Sequence, residues 1–315
     1  MRPRDVSIVI PCYCSERILP HLIDRIQHTM SAAGESFELV LVEDGSSDGT
    51  WRVIRELAHQ HPFIRGVRLM RNYGQHNALL CGIRTARGRI IVTLDDDLQN
   101  PPEEIPRLLA KLGEGYDVVY GTPQKEAHGI LRDVASQVTK LVLQKSMGAS
   151  TARSVSAYRA FHTRLRDAFA EYRGAFVSID VLLTWGAARF TAIPVQNDPR
   201  TVGASNYNLY KLISQALNMM TGFSTAPLQL ASLLGFLLTL VGVITFTYVI
   251  TSYLVRGSPV QGFPFLASAI AVFSGAQLFA LGIIGEYLAR IHTRTMDRPC
   301  FAVDSTTDDE SHDAR

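Results

Sequence analysis

The sequence predicts an α/β protein, a doubly wound and mostly parallel sheet followed by a two-helix transmembrane hairpin. Three observations predict it. Short apolar runs alternate with helix-length amphipathic segments through the first 125 residues. Two long stretches, Leu212–Val255 and Gly257–Gly285, contain no charged residue. Most of the charge lies ahead of them, so a soluble part precedes a hydrophobic one.

Val6–Ile10 reads as a buried strand. Glu16–Met30 carries Leu19, Leu22, Ile23 and Ile26 at helical spacing. Phe37–Glu43 is a second strand, and Asp48–His59 a helix with Asp48 as its N-cap. Val67–Met70 and Gln75–Thr85 are the next strand and helix. Arg89–Leu94 is a fourth strand, Pro102–Leu112 a helix opened by prolines, and Asp117–Tyr120 a fifth strand. Ligands of such sheets bind beyond the carboxyl ends of the strands. That gathers Pro11–Glu16, Asp44–Asp48, Arg71–Gln75 and Asp95–Gln99 around one cleft.

A bilayer span needs about 20 apolar residues. Leu228–Leu254 and Val260–Ile284 each supply them, joined by the short turn Arg256-Gly-Ser-Pro. Lys211 precedes the first span, while Arg290, Arg294 and Arg298 follow the second. The positive-inside bias puts both flanks in the cytoplasm, giving a multi-pass protein of the cell membrane. The chain divides into residues 1–204 as a cytoplasmic catalytic domain, 205–225 as an interfacial amphipathic helix, 226–286 as the spans and 287–315 as a cytoplasmic tail. The polar stretch after Val303 is expected to be disordered. A packed helix of the soluble domain is the alternative reading of that segment.

With 31 Lys and Arg against 29 Asp and Glu, the net charge of +2 excludes a general nucleic-acid binder. The four cysteines form no zinc pattern and read as reduced thiols. The run Asp95-Asp-Asp-Leu-Gln99 closes a hydrophobic strand. Adjacent carboxylates repel one another unless solvated or neutralised, and all-oxygen ligands suit Mg²⁺ or Mn²⁺. On an extended segment Asp95, Asp97 and Gln99 share one side and Asp96 points elsewhere. A solvated acidic turn is the competing reading. In Leu41-Val-Glu-Asp-Gly-Ser-Ser-Asp-Gly-Thr50, Asp44 at a strand end suits a base or ribose, and Asp48 suits a cap.

Ser7-Ile-Val-Ile-Pro-Cys-Tyr13, Asp44-Gly-Ser-Ser-Asp-Gly-Thr50 and Asp95-x-Asp97 together resemble the family-2 glycosyltransferases of the GT-A fold. Arg71-Asn-Tyr-Gly-Gln-His76, the long run Asp95–Pro106 and Gly285-Glu-Tyr287 resemble their polyprenyl-phosphate branch. That branch holds dolichol-phosphate mannose synthase and the undecaprenyl-phosphate glucosyl and formamidoarabinosyl transferases. The resemblance runs from about Val6 to Val303. It implies a nucleotide-sugar donor, a polyprenyl-phosphate acceptor, a membrane setting, and a Mg²⁺ or Mn²⁺ cofactor. It implies that Pro11, Tyr13, Glu16 and Asp44 line the nucleotide pocket. Asp95, Asp97 and Gln99 would hold the metal, Arg132 and Ser136 the lipid phosphate, and Arg200 a loop over the donor diphosphate. Asp97, Arg132 and Arg200 are then the residues expected to carry catalysis.

The chain departs from that pattern in places. Cys14-Ser15 replaces a usual Asn-Glu, with Glu16 one place later. The arginine usual after the fifth strand is absent, and Lys125 is the nearby cation available for the acceptor phosphate. Arg153 and Asn206 stand where Asp and Lys are usual. The expected reaction is direct, inverting displacement by a lipid phosphate oxygen. His76 reads as a loop or helix-cap residue rather than a base. A processive polysaccharide synthase and a lapsed nucleotide-sugar-binding protein are the alternatives. The first lacks its Gln-x-x-Arg-Trp run, since neither Trp51 nor Trp185 fits it. No GxGxxG follows the first strand, which argues against a dinucleotide oxidoreductase. The sequence leaves the sugar, the nucleotide and homo-oligomerisation open.

Overall fold

The computed structural model describes residues 5–123, 155–174, 177–196, 198, 226–256 and 263–309. The expected acceptor residues Lys125, Arg132 and Ser136, the loop residue Arg200 and the segment 205–225 lie outside them. By internal contacts the chain forms two units, Met1–Ile213 with Arg298–Arg315, and Ser214–Asp297.

In the first unit β1 (Val6–Cys12), β2 (Phe37–Glu43), β3 (Ile64–Leu69) and β4 (Ile90–Thr93) form the parallel centre of an eight-stranded sheet. β1 is buried along its whole length, as its unbroken apolar run requires when both faces are covered. The helices α1 (Leu19–Ala32), α2 (Thr50–Gln60), α3 (Gln75–Thr85) and α4 (Ile105–Gly113) connect these strands and lead into β5 (Val118–Pro123). α1 turns Leu19, Leu22, Ile23, Ile26 and Met30 into the core. A 3-10 turn at Pro102–Glu104 opens α4. β3 begins earlier than the sequence suggests, because Arg65 and Gly66 interrupt its apolar pattern.

The expected alternation holds through β5, but the sheet is mixed. β6 (Arg159–His162) lies antiparallel between β4 and β5. The short helix α5 (Ile179–Leu183) follows, and β7 (Phe190–Val195) pairs parallel with β5. The tail corrects a second expectation. Its described part, residues 303–309, carries a strand: β8 (Val303–Thr306) pairs antiparallel with β3 and completes the sheet edge, and residues 310–315 lie outside the described ones. Partners hold it there. Gly66 N–H donates to Thr307 Oγ1 at 3.0 Å, and Asp308 pairs with the buried Arg65 at 3.0 Å. The composition is polar because the strand is half exposed at an edge, where ladder bonds and ion pairs replace apolar burial.

The second unit contains α6 (Ala226–Arg256) and α7 (Phe263–Thr295). Within α6, Ala231–Ser252 is long and apolar enough to cross a membrane, with a mean hydropathy of 2.3. It is the one such span among the described residues. Two of its hydroxyls bond within the helix, Thr239 donating to the Gly235 carbonyl and Thr247 to that of Val243, each at 2.8 Å. That removes the cost of bare polar groups in hydrocarbon. Gly242 lets α6 and α7 approach, since a Cβ there would stand 3.4 Å from the Phe273 ring.

Candidate active site

Four loops leave the carboxyl ends of β1 to β4 and meet, as the doubly wound fold requires. They line an open cavity of about 290 Å³. Pro11, Cys12 and Tyr13 contribute from the first loop, and Asp44 from the second. Asn72, Gly74 and Gln75 come from the third, and Asp95, Asp96 and Asp97 from the fourth.

Asp44 is buried at the end of β2, and both its oxygens are engaged. Oδ1 accepts the Tyr73 N–H at 2.7 Å and Oδ2 the Gly74 N–H at 2.8 Å. It thereby shapes the β3–α3 loop as well as facing the cavity. Burial raises its pKa, and these two bonds oppose the rise. Gly45 lets the two loops touch: a Cβ there would lie 2.3 Å from the Asn72 nitrogen, and its φ of +64° suits glycine.

The carboxylate run does not continue β4. The strand ends at Thr93, and Asp96, Asp97 and Leu98 form a turn with Leu98 at φ +61°. The strand alternation used to align Asp95, Asp97 and Gln99 therefore does not apply. Asp95 and Asp97 reach the cavity wall, while Gln99 is not among its lining residues. Gln99 instead donates its backbone N–H to Asp97 Oδ1 at 3.1 Å and accepts the Asp198 N–H at 2.9 Å. Asp96 turns to the first loop, accepting the Tyr13 N–H at 3.1 Å and the Ser15 hydroxyl. Asp95 accepts the Gln75 amide at 2.6 Å. Its pKa is pushed up to about 7, first by burial and then by the charges of Asp97 and Asp96. Asp96 is also raised by burial, against its bonds to Ser15 and Tyr13.

Such a set fits a divalent cation, because crowded carboxylates in a partly dry wall are stabilised by one. Among the described residues no three His, Cys, Asp or Glu side chains form a complete coordination set. The two carboxylates at the cavity wall that could hold such a cation are those of Asp95 and Asp97. Mg²⁺ sites with one or two protein carboxylates take their remaining ligands from phosphates and water.

Tyr13 is 54% exposed at the rim. Glu16 is not among the lining residues. Its carboxylate accepts the Gly49 N–H at 3.1 Å and pairs with Arg52 at 2.7 Å, under the start of α2. Asp48 stands one residue before the N-cap and accepts the Thr50 N–H at 3.1 Å. His76 is the second residue of α3; burial lowers its pKa, and its buried Nδ1 has no hydrogen-bond partner among the described residues. Arg159 is only 1% exposed and paired with Asp180. It offers no charge to a ligand at the surface. Sequence reasoning placed Ser15 and Gln75 in segments at the cleft but gave neither a role. Gln75 had one usable signal, its place directly after Gly74 at a helix start.

Residues 7–173 match the profile of glycosyl transferase family 2. The undecaprenyl-phosphate 4-deoxy-4-formamido-L-arabinose transferase of Klebsiella pneumoniae is 35% identical over 303 residues, covering 95% of this chain and 93% of that one. Among solved structures, the chain resembles glucosyl-3-phosphoglycerate synthase from Mycobacterium tuberculosis in complex with Mn²⁺, UDP-glucose and phosphoglyceric acid. The TM-score is 0.51 at 20% identity, over 69% of this chain and 78% of that one. Mannosyl-3-phosphoglycerate synthase from Rubrobacter xylanophilus gives a TM-score of 0.51 at 18% identity, over 69% and 72%. At those identities the structural likeness speaks to the fold alone.

Proposed function

Because the chain belongs to glycosyl transferase family 2, we propose that this glycosyltransferase moves a sugar from a nucleotide-sugar to undecaprenyl phosphate or a similar polyprenyl phosphate. The observation that carries this reading is the match to an undecaprenyl-phosphate sugar transferase along 95% of the chain, catalytic unit and helices alike.

Each part of the site has a task in that reaction. Tyr13 offers an exposed aromatic face to the nucleobase, with Pro11 and Asp44 beside it. Asp96 holds the Tyr13–Ser15 backbone in place. Asp95 and Asp97 would hold Mg²⁺ or Mn²⁺, which when bound neutralises the charge of the departing nucleoside diphosphate. A lipid phosphate is already anionic near neutrality, with a second pKa of about 6, and needs little help from a base. The chain's contribution is alignment for in-line, inverting attack. Arg132 and Ser136, with Lys125, are assigned to the acceptor phosphate and Arg200 to the donor diphosphate, on the family resemblance.

The sheet supports a two-span hairpin in the membrane. β8 follows α6 and α7 in sequence yet pairs with β3 of the catalytic unit. The chain therefore leaves and returns on one side, which requires an even number of crossings. If Ala231–Ser252 crosses, α7 crosses back. Arg290 and Arg298 near the return favour the cytoplasmic side.

The test is a donor screen with membranes containing the protein, undecaprenyl phosphate and a panel of labelled nucleotide-sugars. Label should pass to the lipid from one donor. Transfer to no polyprenyl phosphate from any donor would reject the proposal.

A further inference from the structure

Arg159 has the largest fully buried side chain of the described residues. It stands on β6 opposite Thr93 of β4 and opposite Tyr120 of β5. Facing residues in neighbouring strands project to the same side of a sheet. The guanidinium uses that placement on three acceptors. Nε donates to Thr93 Oγ1 at 3.1 Å and more weakly to the Ala157 carbonyl at 3.4 Å. Nη1 pairs with Asp180 at the start of α5. Thr93 Oγ1 in turn donates to the Ala157 carbonyl at 2.6 Å, and the Tyr120 hydroxyl to Asp180 Oδ1 at 3.2 Å. One cation thus joins β4, β5, β6 and α5 beneath the sheet end.

A buried ion pair is poor evidence of a stabilising role, because apolar residues of the same volume commonly do as well. Its distinctive property is geometric. A planar fork fixes several acceptors at once, which neither an apolar side chain nor a lysine ammonium reproduces. The acceptor it fixes here is Thr93, the last residue of β4. Asp95 and Asp97 leave the strand within four residues of that point, on a turn without ladder bonds of its own.

We propose that Arg159 is a positioning residue for sugar transfer: through Thr93, Ala157 and Asp180 it fixes the end of β4 from which Asp95 and Asp97 reach the cavity. The inference rests on the assignment of those two aspartates to the donor site. Arg159 itself touches no ligand. Its effect is on how accurately the carboxylates are held, so it acts on turnover more than on substrate capture.

The test compares Arg159→Lys, Asp180→Asn and the apolar double variant Arg159→Met/Asp180→Leu with the parent full-length protein in detergent. Three quantities are read: thermal midpoint, amide hydrogen exchange of the peptide spanning residues 90–100, and the kinetic constants with the donor found active. Arg159→Lys should exchange faster in that peptide than in β1 or β2. Its kcat should fall about 10- to 100-fold, as a small misplacement of reacting groups costs, with KM for the lipid nearly unchanged. The double variant should keep its thermal midpoint and lose the same activity. Two results overturn the proposal: parental kcat and exchange in Arg159→Lys, or faster exchange spread evenly over the sheet in step with a lowered midpoint. The exchange reading needs no turnover, so it stands if the acceptor proves not to be a polyprenyl phosphate. If the double variant does not fold, the two single variants decide the matter by the same readings.

Discussion

Asp96 and Tyr13 join the first and fourth loops of the site: the aspartate Oδ2 accepts the Tyr13 N–H at 3.1 Å, across 83 residues of sequence. The same oxygen takes the Ser15 hydroxyl, so one carboxylate sets the course of the chain at the cavity rim. Asp96→Ala should leave Tyr13 mobile. Losing charge-assisted bonds of this kind costs about 1.5–3 kcal/mol each. The expected result is donor binding weakened about tenfold or more, read by titration with the nucleoside diphosphate. Unchanged donor affinity would remove Asp96 from this role.

Asp97 is expected to behave differently, because the task proposed for it is at the departing diphosphate. Chelation with EDTA should abolish transfer, and Mg²⁺ or Mn²⁺ should restore it. Asp97→Asn should cost about 10²-fold in kcat, as loss of a principal electrostatic stabiliser does. Full activity of Asp97→Asn in EDTA would contradict the metal assignment.

Asp95 gives the site a pH dependence. In the folded chain without a cation its carboxyl keeps a proton up to about pH 7. An unfolded aspartate loses it near about 3.9. The folded state therefore binds more protons between those values, and this group's contribution to stability falls as pH rises through that window. A cation binds the carboxylate and expels the proton. Apparent Mn²⁺ affinity should rise with pH to about 7 and level off above it, with proton release measurable by calorimetry in buffers of different ionisation enthalpy. Asp95→Asn should abolish that slope.

Topology is tested at the two ends of the chain. Reporters fused before residue 1 and after residue 315 should read as the same, cytoplasmic side. Opposite readings would contradict the even number of crossings. Removing residues 303–315 should bare the edge of β3 and cause aggregation. Asp308→Ala alone should cost only about 1 kcal/mol, since Asp308 is half exposed to solvent.

The central strands, the helices between them and the place of the cleft were legible in the sequence, because apolar period and strand–helix alternation are local properties. So were the acidic cluster and the apolar run of α6, which depend on neighbouring residues alone. What the tertiary structure decided concerns partners distant in sequence. β6 and β8 are four-residue strands with polar members, recognisable only by the neighbours they pair with. Glu16 and Asp44 look alike as acidic residues near strand ends, yet one closes the start of α2 and the other shapes the β3–α3 loop at the cavity. A turn, not a strand, carries Asp96 and Asp97, and Gln99 is then not among the residues lining the cavity. Arg159 is buried because β4, β5 and α5 surround it, which no local pattern states. A sequence states which groups a chain owns and what local period they follow. Which acceptor each donor meets is fixed only when the sheet brings together residues that are 21 to 83 positions apart.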